Sequence, residues 1–162
     1  RYFGFSRQYA HRVFSRIYGY HYGELLKKKR KKKKAIALRK NLGQLHIAVR
    51  EAAQRIRDLG LPVILKKHQQ TQLIWVNGHT LMVRCCETPL KVGNREHFRI
   101  TNVTTHGMNI DFLLCCCKGR KAHTFFIIPR TNLIKSNITL IPEAGPNDSK
   151  YARFKEAWSL LA

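Results

Sequence analysis

Acidic residues are scarce. The 162-residue chain carries nine Asp and Glu against 31 Lys and Arg, a formal net charge of +22. Such an imbalance points to a polyanionic partner, of which nucleic acid is the usual one and an anionic membrane surface the weaker alternative. Long apolar stretches are missing as well. No run of about 18 apolar residues occurs, which excludes a membrane-spanning helix. There is no G-x-S-x-G, no phosphate-cradling G-x-G-x-x-G, no P-loop and no H-x-x-x-H helix, so the common hydrolase, nucleotide-binding and zinc-protease signatures are absent. The first residue is arginine, no charged-then-apolar leader follows, and the helix expected before Gly4 is cut to Arg1-Tyr2-Phe3. The expectation is a fragment or a trimmed chain.

Hydrophobic residues still make up 44% of the chain, too many for a wholly disordered basic tail. The charge is uneven: residues 1–59 hold 17 cations and three acids, and residues 60–162 hold 14 and six. This reads as a nucleic-acid-contacting arm followed by a basic globular domain. The five cysteines fall in two adjacent clusters, Cys85-Cys86 and Cys115-Cys116-Cys117. Zinc sites prefer a C-x₂₋₄-C spacing with a turn between. Adjacent cysteines in a strand point to opposite faces, so neither cluster chelates alone. Buried thiols in a reducing compartment are the expectation, with a disulfide or metal open only if the two strands pair.

In chain order, residues 1–23 read as a partial helix-turn-helix. Gly4 suits a left-handed turn position and Phe5 a place in a small core. Ser6 is a good N-cap. Tyr9, Val13 and Ile17 recur at helical spacing as a buried face, with Ala10 and Phe14 as further candidates. Arg7, Gln8, His11, Arg12 and Arg16 stay outside, where Arg and Gln early in a recognition helix reach base edges and later arginines meet phosphates. The stretch Tyr18 to Tyr22 breaks the helix with Gly19 and Gly23. Residues 24–44 are a basic linker or helix. Within it Lys27, Lys28, Lys29, Arg30, Lys31, Lys32, Lys33 and Lys34 repel one another and would be disordered alone, but would hold phosphates on DNA. Leu45 to Leu59 is an amphipathic helix with Leu45, Ala48, Val49, Ala52, Ala53, Ile56 and Leu59 inward, ended by Gly60 and Pro62. Glu51 lies beside that stripe and can reach Arg55 one turn on.

Thr71 to Glu87 reads as a β-hairpin. Leu73 to Val76 and His79 to Cys86 flank Asn77-Gly78, the strongest short-range hairpin signal; the second strand is apolar enough to be central. Further strands are expected at Leu61–Lys67, His97–Val103, Asn109–Cys117, Ala122–Ile128 and Ile138–Ile141, with Gly93-Asn94, His106-Gly107 and Lys118-Gly119 in loops. Tyr151 to Leu161 is expected to close the chain as a helix with Phe154, Ala157, Trp158 and Leu161 inward. The fold class is α+β or mixed α/β.

From Leu45 onward this order resembles the PD-(D/E)XK endonuclease superfamily, homing- and restriction-endonuclease-like domains included. The resemblance rests on the helix before the hairpin, on Asn109-Ile110-Asp111-Phe112-Leu113-Leu114 through Phe125-Phe126-Ile127-Ile128-Pro129, and on the segment Lys150 to Leu161. It implies a restriction-endonuclease-like core over 45–162: helix, central β-meander and C-terminal helix. It also implies an acid on the first hairpin strand and Glu-x-Lys on the second. This chain has Gln72-Leu73 at the first position and Met82-Val83-Arg84 at the second, and no acid anywhere from Thr71 to Cys86. Mg²⁺ needs hard carboxylate oxygens, so the resemblance implies a catalytically degenerate DNA-binding protein with no cofactor. The alternative is an active endonuclease, with Mg²⁺ held by Glu51, Glu87 or Asp111. A second alternative is an RNA-binding or ribosome-associated protein. The expected partner is double-stranded DNA, with a homodimer compatible and no membrane. In the domain, Arg84, Lys91, Arg95, Arg99, Lys118, Arg120 and Lys121 would meet the backbone. Such a protein works in the cytoplasm or nucleoid, or in the nucleus of a eukaryote.

Overall fold

The computed structural model describes residues 4, 6–68, 71–101, 103, 108–119, 122–133 and 136–162, with backbone alone at 37–42 and 44. The chain divides into two compact units, residues 1–42 and 43–162. The expectations at Phe5 and His106-Gly107 lie outside the described residues.

In the first unit α1 (Arg7–Tyr18) starts at Ser6, whose hydroxyl accepts from the Tyr9 amide at 3.2 Å. It ends at Gly19, which adopts φ +70 and sends its amide to the Ser15 carbonyl. The next helix, α2, runs Tyr22–Asp58, 37 residues. Two expectations change here. Gly23 does not break the chain but lies inside α2. Of the two alternatives for the lysine run, linker or helix, it takes the helix; Lys, Leu and Ala are strong helix formers and outweigh like-charge repulsion. Tyr9 and Ile17 do not form a buried face: they are 57% and 67% exposed, and none of α1 is buried. Phe14, a further candidate for that face, does pack, among the rings of Tyr18, Tyr20 and Tyr22.

In the second unit the last turns of α2 place Ala48, Val49, Ala52, Ala53 and Ile56 at 0–3% exposure. Small alanines let the helix backbone approach the sheet closely. Leu59 faces solvent instead, because the helix ends one residue earlier and turns at Gly60 (φ +80). The strands are β1 (Val63–His68), β2 (Thr71–Val76), β3 (His79–Cys86), β4 (Leu90–Val92), β5 (Arg95–Ile100), β6 (Phe112–Lys118), β7 (His123–Pro129) and β8 (Ile138–Leu140). Asn77 (φ +45) and Gly78 (φ +81) make the expected hairpin turn. β3 is central and its Leu81, Met82 and Val83 are fully buried.

The strands do not form one meander. Five make a sheet in the order β1-β2-β3-β6-β7, and β3 pairs with β6 in parallel. A parallel pair needs a crossover, and here β4 and β5 lie in it. β4 was not expected from the sequence. Together with β8 they form a second, three-stranded sheet in the order β4-β5-β8. The large sheet is therefore buried on both faces. One face meets α2 through Ile74, Val76, Leu81, Val83, Leu114 and Ile127. The other meets Phe98, Ile100, Ile138 and Leu140 of the small sheet. Each such side chain fully removed from water contributes about 1.5–3 kcal/mol.

The closing helix is also corrected. Two 3₁₀ turns, Ala152–Phe154 and Trp158–Leu161, are separated by Glu156 at φ +49. Glu156 leaves helical geometry because its carboxylate is drawn to β7, where Oε1 accepts from the Phe125 amide at 2.7 Å. Its own amide donates to the Phe125 carbonyl at 2.8 Å. Phe154 and Leu161 still face inward, as their spacing implied.

Candidate nucleic-acid interface

The first unit gathers most of the cations expected to meet nucleic acid. Arg7, Gln8, Arg12 and Arg16 are exposed on α1, and His11 is half-buried. Gln8, His11, Arg12, Ser15 and His21 line a cleft of about 380 Å³, in which the Ser15 hydroxyl and the His21 Nδ1 lie 2.9 Å apart. On α2, Lys27 to Lys34 are all exposed. Eight cations on a helix spread over all sides, since successive residues turn by about 100°.

The second unit presents fewer. Lys91, Arg95 and Arg99 are exposed on β4 and β5. Lys91 and Arg95 line a cleft of about 590 Å³, but Glu96 and Glu143 share it, and Arg95 is paired with Asp148 at 3.1 Å. Lys118 is half-buried at the end of β6. Arg84 is also half-buried; burial pulls its guanidinium below the ordinary value, with Cys115 beside it. Arg120 and Lys121 lie outside the described residues.

The hairpin register decides where the acid-bearing positions went. Leu73 pairs with Met82 and Ile74 with Leu81. Side chains alternate along a strand, so Gln72 shares its face with Ile74, Leu81, Val83 and Cys85. Met82 and Arg84 project from the opposite face, together with Leu73, which pairs directly with Met82. Gln72, 7% exposed, therefore cannot meet Met82 or Arg84 around one ion. The positions that share its face are Val83 and Cys85, and neither supplies a hard oxygen.

The three other acids do not converge. Glu51 on α2 pairs with Arg55 at 2.9 Å and with the His123 Nδ1. Arg55 also reaches Glu156 at 2.8 Å and stacks over the Phe125 ring at 4.8 Å. Glu156 in turn accepts from the Trp158 indole at 2.7 Å. Glu51 is thus one end of a chain of charges that ties α2 to β7 and the closing segment. Asp111 lies at the other end of β6, where its Oδ2 accepts from the Thr80 amide at 2.7 Å and its own amide donates back to the Thr80 carbonyl. Seven residue steps separate Asp111 from Lys118, opposite His123, a span of roughly 23 Å. Glu87 follows β3 and acts on Cys85. Among the described residues no three His, Cys, Asp or Glu groups are placed to hold a metal. The sequence assigned no role to His123 or Glu156: the partner Glu51 lies 72 residues from the first, and the partner Arg55 lies 101 residues from the second.

Parallel pairing sets Cys85 beside Cys116 and Cys86 beside Cys117, yet all five cysteines are free thiols. Cys115, Cys116 and Cys117 are buried and pushed above the ordinary thiol value, Cys116 chiefly by donating to Cys85. That hydrogen bond holds Cys85 below it, with Lys118 assisting and Glu87 opposing; burial raises Cys86. Thiolates are the nucleophiles. Iodoacetamide at neutral pH should therefore alkylate Cys85 first, Cys86 more slowly, and the triple only after unfolding. Peptide mass spectrometry over time reads this order, and equal labelling of Cys85 and Cys86 would contradict it.

No family model matches this sequence, and no curated protein matches it. Solved structures do. The bacterial homing endonuclease I-Ssp6803I superposes with a TM-score of 0.53 at 21% identity, over 72% of this chain and 86% of its own. MepB gives a TM-score of 0.36 at 12% identity, over 62% and 83%. The first similarity, with the α+β architecture described above, makes the fold endonuclease-like. Among the described residues no helix is long and apolar enough to cross a membrane.

Proposed function

We propose that this chain binds double-stranded DNA through a basic helical unit and an endonuclease-like domain, and that the domain has lost metal-dependent cleavage. The observation that carries this reading is that neither face of the hairpin offers a carboxylate: Gln72, Val83 and Cys85 share one, and Leu73, Met82 and Arg84 the other. The homing endonuclease neighbour supports a DNA partner, and the PD-(D/E)XK resemblance locates the acids at the hairpin. On this chain the first face offers an amide, a methyl pair and a thiol, and the second two apolar side chains and a guanidinium. Mg²⁺ takes oxygen ligands near 2.0–2.1 Å and is usually held by carboxylates; without them no water is activated and no phosphorane charge is offset. Glu51 is a carboxylate on the covering helix, and Arg55 and His123 already occupy both its oxygens.

DNA would be met by Arg7, Gln8, His11 and Arg12 of α1, as in a helix-turn-helix, and by the lysines of α2. Arg and Gln at the start of α1 suit base edges; the lysines suit phosphates.

The test has two arms. Fluorescence anisotropy with a labelled duplex should show binding that survives EDTA and weakens steeply with salt, with a log–log slope of about −0.9 per neutralised phosphate. Supercoiled plasmid with Mg²⁺ or Mn²⁺ should remain uncut. Metal-dependent nicking that Glu51→Ala abolishes would overturn the reading and make Glu51 a ligand. Asp111→Ala is tested separately, because the two acids are too far apart to share an ion.

A further inference from the structure

We propose that the first unit also holds unpaired DNA, with a nucleobase entering the cleft between α1 and the start of α2. This rests on the DNA-binding reading above and adds a second form of DNA to the duplex that the helical unit takes.

The rings carry the inference. His11, Phe14, Tyr18, Tyr20 and Tyr22 lie within twelve residues, and Phe14 is 4.6, 5.9 and 5.4 Å from the centroids of Tyr18, Tyr20 and Tyr22. A cluster serving only as a miniature core would be covered. Here Tyr18 is 56% and Tyr22 43% exposed. A cleft of about 470 Å³ opens beside them, lined by Ala10, Phe14, Tyr22 and Leu26, with Arg7 and His11 as its charged or polar members. That volume is within the range of about 300–1,000 Å³ usual for small organic ligands. His11 meets the Tyr22 ring edge to face at 6.2 Å.

The surroundings select the occupant. The lysine run begins one residue after Leu26, and the Lys28 ammonium lies 5.8 Å from the Tyr20 centroid. Exposed aromatic rings among cations are the combination that holds single strands: the cations follow the backbone and the rings stack on bases. A duplex hides its base faces in its own stack, so phosphate attraction alone would leave these rings unused. An apolar peptide would fill the cleft but gain nothing from the cations.

The test compares the full chain on a short oligo(dT) and on a blunt duplex of equal length. Tyr22→Leu keeps an apolar side chain on α2 and removes the ring. It should weaken oligo(dT) binding about 5- to 150-fold, the consequence of losing one stack of about 1–3 kcal/mol, while duplex affinity stays within about twofold. Tyr22→Phe should retain oligo(dT) affinity. Equal loss on both ligands would mark a purely structural role and overturn the proposal, as would no loss on either. Tighter binding of oligo(U) than of oligo(dT) would assign the surface to RNA and overturn it. Duplex binding without oligo(dT) binding would sink this inference and leave the DNA-binding reading standing. Binding to neither would sink both.

Discussion

Glu156→Ala is expected to lower the melting temperature by about 10 °C, the largest stability effect of any single polar residue described. Its carboxylate accepts from the Phe125 amide, the Trp158 indole and Arg55 at 2.7–2.8 Å. Hydrogen bonds involving a charged group are worth about 1.5–3 kcal/mol each in isolation. The side chain is 34% exposed, so water recovers part of that. Glu51 also keeps a hold on Arg55, so the three do not add. A net loss of roughly 3 kcal/mol follows, and about 2–4 °C per kcal/mol applies at this size. The alanine would also inherit the left-handed backbone, φ +49, without the bonds that hold it there. Glu156→Gln should lose about half as much, because an amide oxygen still accepts from Phe125 or Trp158 but no longer balances Arg55. Circular dichroism melts of the three proteins decide it. A shift of under about 2 °C for the alanine variant would mean that the closing segment is held by apolar contact alone.

Changing Lys27 to Lys34 to glutamine should weaken duplex binding about 100-fold at moderate salt. If half of the eight cations reach phosphates, the log–log salt slope becomes shallower by about 3–4. Over a fourfold change in salt concentration, that difference in slope is a factor of roughly 100. The same substitution should raise the helicity of the unbound protein at low salt. Like charges three and four apart each cost a helix about 0.2–0.5 kcal/mol, and the run contains several such pairs. Anisotropy titrations at several salt concentrations and far-ultraviolet circular dichroism read the two effects independently. An unchanged slope would remove the run from the interface; unchanged helicity would show that repulsion there is already screened.

Local signals carried well from sequence to structure. Asn77-Gly78 encodes its turn in two residues, and the alanine and isoleucine spacing of 48–56 encodes one helix face. What failed or stayed open was non-local or finely balanced. The lysine run left linker and helix open because propensity opposes repulsion there, and propensity prevails. The pairing of β5 with β8 joins Phe98 to Leu140, which no periodicity near either strand announces. The candidate site turned on one residue of register: the strand that carries Met82 and Arg84 also carries Val83 and Cys85, and only pairing with β2 tells which of them share a face with Gln72. The closing segment had helical spacing, but the partner that breaks it, Phe125, lies 31 residues back.

The lysine helix can also be viewed as a polyelectrolyte. A rise of about 1.5 Å per residue gives Lys27 to Lys34 one positive charge per step, whereas a duplex carries one negative charge per roughly 1.7 Å. The linear charge densities nearly match with opposite sign. A rod so densely charged gathers small anions as DNA gathers cations. Association then frees ions from both surfaces, so the species of anion in the buffer governs affinity alongside its concentration.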